Sequence, residues 1–91
     1  MSLMTNNDIA RQLQRHARQL ARNHGSLYRV RAYRRAVGTI LGLDRPVTEM
    51  GKRELQVLPG IGAHLAAAIT HFARTGDWKT YEELTSGGLA V

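Results

Sequence analysis

The sequence predicts an all-α protein, a small bundle of about four helices plus a short C-terminal helix. Three observations predict this. Apolar residues recur at helical spacing through each long segment. Capping residues and glycines mark starts and stops between those segments. No stretch reads as a strand of convincing length, and no internal repeat is visible. At 91 residues the chain is one small domain of modest stability. Residues 1–4 read as a tag or disordered start, 5–85 as the domain, and 86–91 as a flexible tail.

Thr5, Asn6 or Asn7 can cap the first helix, with Asp8 in its first turn. Ile9, Leu13, Ala17 and Leu20, with Ala10 and Ala21, make its apolar stripe. Arg11, Arg15, Arg18 and Arg22 fall on roughly the opposite face. That face is either a solvated helix surface or a phosphate track. His16 lies near the apolar face and reads as a packing residue. Asn23-His24-Gly25 looks like the stop, with Gly25 in the left-handed position after the helix.

Ser26 can cap the second helix, which runs to about Leu41. Leu27, Val30, Val37, Ile40 and Leu41 supply its buried side, and Ala32 and Ala36 let neighbours approach. Tyr28, Arg29, Arg31, Tyr33, Arg34 and Arg35 crowd its first half. Arginines interleaved with tyrosines suit nucleic acid better than an isolated stripe does. Tyr33 is open between a core ring, a stacking platform, and both at once, a buried ring with its hydroxyl at the surface.

Residues 42–46 form a connector. Val47, Thr48 and Glu49 then read as staple, cap and acidic first turn of a short helix to about Val57. Pro59 cannot continue that helix and has no N–H. Gly60 and Gly62 allow a tight reversal. Leu65, Ile69 and Phe72 recur at i, i+4 and i+7, so a new helix begins after the bend and ends near Arg74, with Gly76 as its stop. Asp77-Trp78-Lys79 is a turn, in which Trp78 either plugs the core or stacks on a base. Thr80 and Glu83 form a capping box for a last helix through Leu84.

Charge bounds the partner. The net charge is +6 and the pI is about 10.8, which points to a polyanion. No acidic residue lies between Asp8 and Asp44, where eight arginines fall. Arginine excess suits bidentate phosphate contacts, and equally reflects codon bias in a GC-rich genome. The chain has no cysteine, so it has no disulfide framework and no thiolate metal site. His64 and His71 share a helix but lie seven residues apart, about 10 Å along the axis, too far to share an ion. No apolar run is long enough to cross a membrane, and the start lacks a secretory pattern. A cytoplasmic location is expected, nucleoid-associated if the source is bacterial.

The segment Leu55 to Ile69 resembles the helix-hairpin-helix motif. Its bend carries no bulky side chain, so Gly60, Ile61, Gly62, Ala63 and His64 bring the amides of a helix N-terminus toward solvent. Unpaired N–H donors and partial positive charge there suit phosphate. Taken with the AYRRA stretch at Ala32–Ala36, L-P-G-I-G at Leu58–Gly62, and the R-T-G-D-W run ahead of Y-E-E-L, nearly the whole chain, about Asp8 to Leu84, resembles the N-terminal helix-hairpin-helix domain of family X DNA polymerases. That resemblance implies gapped, nicked or junction DNA as partner, held from its 5′-phosphate side, with a repair-protein partner besides. It implies Arg29, Tyr33 and His64 at the phosphate and Tyr28 packed on a template base. It further implies Na+ or K+ held by the backbone carbonyls of Gln56, Leu58 and Ile61, with no other cofactor.

One departure decides the expectation about chemistry. Family members with 5′-deoxyribose phosphate lyase activity attack the sugar with a lysine in the hairpin's second helix. That position is Ala68 here, and a methyl group cannot form an imine. The only lysines are Lys52 and Lys79. The expected function is therefore sequence-non-specific DNA binding in repair or replication, without catalysis. A residual lyase using another amine, a protein-interaction module and an RNA binder are the alternatives.

Overall fold

The computed structural model describes residues 4–80 together with Glu83 and Leu84. Residues 1–3 of the expected start at 1–4, the tail at 86–91, and Tyr81 and Glu82 of the expected last helix lie outside the described residues, whereas Met4 is described and packs on the core. The described residues form four α-helices and one 310 turn, with no strand among them. No helix among them is long and apolar enough to cross a membrane.

Helix α1 spans Asn6–Arg22. Of its three candidate caps Thr5 acts: its hydroxyl accepts from the Asp8 amide at 3.1 Å, and its own amide donates to Asp8 Oδ2 at 3.0 Å. The Thr5 amide first, then the Thr5 hydroxyl and the nearby Arg11, stabilise the carboxylate, so Asp8 ionises below the usual carboxylate range. Asn6 has a different task. Its side chain donates to the Arg45 carbonyl and accepts from the Val47 amide, both at 2.8 Å, and so clips the connector to the start of α1.

The end of α1 corrects the sequence reading. The left-handed residue is His24, at φ 56°, one position before Gly25. The Gly25 amide donates to the Leu20 carbonyl at 2.7 Å, which is the closing bond of a Schellman turn. Glycine is required there for room instead, because a Cβ would sit 2.9 Å from that carbonyl oxygen.

Helix α2, Leu27–Leu41, returns alongside α1 and buries Val30, Tyr33, Ala36, Val37 and Ile40. Ser26 does not cap it as expected. At φ −56° and ψ 125° its hydroxyl makes no capping bond, whereas Thr5 at φ −96° and ψ 164° is extended enough to do so. Leu27 and Leu41, expected inside, are 64% and 53% exposed. They sit at the helix ends, rotated off the line through Val30, Tyr33, Val37 and Ile40.

The expected helix from Thr48 to Val57 is two pieces. A 310 turn covers Val47–Glu49, the chain runs extended through Met50 and Gly51, and α3 spans Lys52–Gln56. Glycine disfavours a helix interior, and Glu54 turns back to accept from the Gly51 amide at 3.0 Å, which starts a fresh helix there. That bond, and then the Arg45 guanidinium at 2.9 Å, hold the Glu54 carboxyl below its ordinary range. Helix α4, Ala63–Thr75, stops as expected at Gly76, at φ 76°, whose amide donates to the Phe72 carbonyl at 2.7 Å.

The core joins Ile9 and Leu13 of α1 to Ile40 of α2, Leu55 of α3 and Ile69 of α4, all fully buried. Each such side chain contributes about 1.5–3 kcal/mol relative to exposure. Met4 packs on the same cluster from outside α1. Trp78 closes the other side, edge-on to Phe72 at 5.8 Å between ring centroids and close to His16 and Tyr33. His16 is the packing residue expected, edge-on to Tyr33 at 4.7 Å. The Thr80–Glu83 box also forms, the Glu83 amide donating to Thr80 Oγ1 at 3.3 Å.

Candidate nucleic-acid interface

The bend between α3 and α4 is shaped by backbone bonds. Leu58 N–H donates to the Leu55 carbonyl and Ile61 N–H to the Leu58 carbonyl, each at 3.1 Å. Gly60 lies between them at φ 80°, a conformation that suits glycine. Ile61 is 3% exposed and pins the loop into the core. Gly62, extended at φ −92° and ψ −174°, precedes α4 and gives its carbonyl to the Ala66 amide at 2.9 Å. The cap position has no side chain, so no side-chain bond covers the start of α4. Gly60, Gly62, Ala63 and His64 are all exposed. The result is an accessible helix N-terminus on a thirteen-residue helix, with partial positive charge and forward-facing donors.

Helix α2 is attached to this bend. Thr39 Oγ1 donates to the Pro59 carbonyl at 2.7 Å. One turn earlier, Arg35 lays its aliphatic stem over Gly60, so close that a Cβ there would lie 2.9 Å from Arg35 Cδ. Tyr28, Arg31, Arg35 and Thr39 follow at i, i+3, i+7 and i+11, which is one stripe of the helix. Tyr28, Arg31 and Arg35 are exposed. The stripe therefore leads from a 82% exposed tyrosine through two arginines to the hairpin. A long arginine stem on glycine with its head in solvent is the arrangement expected of an amphipathic side chain at an interface.

The expected site residues divide. Gly60, Gly62, Ala63, His64, Tyr28, Arg31 and Arg35 fall on the bend and its neighbouring stripe. Arg29 and Arg34 are exposed on other sides of α2. At two positions the side chain is buried. Tyr33 is 8% exposed with its ring among His16 and Trp78, so it is a core ring and offers no open face to a base. Ile61 presents neither side chain nor amide, since one is buried and the other is bonded to Leu58. Thr39 was not among the expected residues. Its contact spans 20 positions, and no local pattern signals it.

The model for the helix-hairpin-helix domain family matches residues 4–78. This chain belongs to that family. No curated protein matches it. Helix-hairpin-helix domains commonly bind DNA without sequence preference, and the parts just described have the chemistry for it. A helix-hairpin-helix bend supplies amides, and the flanking arginines supply charge-assisted donors that match phosphate oxygens. Among the described residues no group of three or more His, Cys, Asp or Glu could hold a metal ion.

Proposed function

We propose that this domain binds DNA by its phosphate backbone, without reading sequence, and prefers gaps or nicks bearing a 5′-phosphate. It is a domain of the kind found at the N-terminus of family X DNA polymerases, acting in repair or replication inside the cell. The observation that carries this reading is the Arg35 stem resting on Gly60, two residues before Gly62, the cap position of α4, which makes no side-chain bond. Backbone amides and arginine heads contact phosphate and carry no base information, so such a surface positions DNA without selecting a sequence.

Arg29, Tyr33 and His64 are the side chains assigned to the 5′-phosphate, and Tyr28 is assigned to a neighbouring base. Exposed aromatic rings stack on any base. The carbonyls of Gln56, Leu58 and Ile61 would hold Na+ or K+. Carbonyl oxygens are hard donors suited to such ions, and the Leu58 oxygen keeps a second lone pair beyond its bond to Ile61. An ion there supplies positive charge between the loop and a phosphate. The domain binds without cleaving, because Ala68 offers no amine for an imine.

Titration on gapped, nicked and intact duplexes at two salt concentrations tests the reading. Log affinity is expected to fall by about 0.9 per engaged phosphate for each tenfold rise in salt. Gaps with a 5′-phosphate should bind more tightly than gaps with a 5′-hydroxyl. Absence of binding at low salt would end the proposal, and equal affinity for the two gaps would remove the 5′-phosphate assignment.

A further inference from the structure

Arg11, Arg15, Arg18 and Arg22 are exposed along the side of α1 opposite the buried Ile9, Leu13 and Ala17. They follow in steps of four, three and four residues, a stripe about 16.5 Å long. The solvated face of a helix ordinarily mixes signs. Opposite charges four apart support the helix, and like charges at that spacing oppose it. Here Arg11 faces Arg15, and Arg18 faces Arg22. The one acid of α1 is Asp8, and its carboxylate serves the Thr5 cap while lying near Arg11. The whole outer side of α1 thus carries a repulsive pattern that a row of phosphates relieves.

The place of this stripe separates it from the hairpin. Arg11 and Arg15, with Asp8, Gln12 and Phe72, line a shallow cavity of about 190 Å³ between α1 and α4. Phe72 lies nine residues after Ala63, so it is about 13.5 Å along α4 from the bend. The Tyr28–Arg31–Arg35 stripe, by contrast, runs into the bend itself. Arg11 and Arg15 therefore lie away from the bend, and a phosphate seated on the bend is not one that they meet.

We infer that the α1 track binds a second DNA segment while the hairpin holds the first, so that one domain bridges two duplexes. This rests on the DNA-binding reading above. Steps of 4.5 to 6 Å between successive arginines, roughly, follow a phosphate row rising about 3.4 Å per strand position closely enough for several contacts.

A capture experiment tests it. Duplex A is fixed to beads and loaded with protein at low salt, free protein is washed away, and fluorescent duplex B is added. The wild type should hold A and capture B. A variant with Arg11, Arg15, Arg18 and Arg22 all changed to Gln should still hold A but capture at least tenfold less B. Glutamine matches arginine in helix propensity, and losing four like charges should leave the melting temperature no lower. The matching four-lysine variant keeps the charge and should capture B. Full capture of B by the glutamine variant, as a protein dimer would give, overturns the inference, and so does a wild type that holds A and takes no B. A wild type that fails to hold A overturns the DNA-binding reading and the bridging with it.

Discussion

Replacing Gly60 with alanine raises two costs together. The residue sits at φ 80°, where an L side chain costs about 1–2 kcal/mol, and the new methyl would meet the Arg35 stem at 2.9 Å. Gly60→Ala should lower stability by at least that strain in a urea melt and weaken DNA binding, because the arginine must move. Gly62→Ala is the control. Gly62 has an ordinary backbone and nothing within 4 Å of a Cβ, so its loss of stability should be distinctly smaller. Arg35→Gln should reduce the salt slope of binding by about 0.9, one phosphate's share, in the two-salt titration. The glycines and arginines of the site were legible as residue types. The contact between Arg35 and Gly60 was not, because nothing local in either segment records that the two meet. Tyr33 shows the same limit. A tyrosine among arginines suits either the core or the surface, so the sequence left it open. Packing against His16 and Trp78 decided it.

Helix boundaries were legible wherever one residue closes one turn. Thr5 with Asp8, Thr80 with Glu83, and Gly76 all act within four residues of their partners. The break at Met50–Gly51 was hidden because Thr48 and Glu49 imitate a cap and an acidic turn, while Glu54 makes the actual one. The clip made by Asn6 was also hidden, since its partners lie 39 and 41 residues away. Asn6→Ala leaves the part-buried Val47 amide without its acceptor, and should cost about 1–3 kcal/mol in a denaturant melt. The carboxylates of Asp8 and Glu54 set the response to acid. Both ionise more readily in the fold than in the open chain, where their values are 3.8 and 4.5. Their contribution is therefore complete above those values and is lost as pH falls through the lower folded ones. The melting temperature should drop as pH falls from about 4.5 toward about 2, and the Asp8→Asn, Glu54→Gln double variant should drop less over that range.

The molecule as a whole has little stability to spare. A chain this size is held by about 5–14 kcal/mol. Leu55, fully buried, connects α3 and the bend to the shared core. Leu55→Ala should cost about 2–5 kcal/mol and release the hairpin's geometry with it, which a thermal melt and a binding titration would register together. The helical class and the bend were legible because periodicity and turn chemistry are local. The assembly that makes a surface of them arises from α2 lying against the bend through Thr39 and Arg35. On the proposed reading, phosphate meets the start of α4 beside that stripe. Amide chemical shifts followed by NMR during addition of 5′-phosphorylated gapped DNA test it most directly. The largest shifts should fall on Gly62, Ala63, His64 and Leu65, with Tyr28, Arg31 and Arg35 moving alongside. Amides from 62 to 65 that stay still while the DNA binds elsewhere would contradict it.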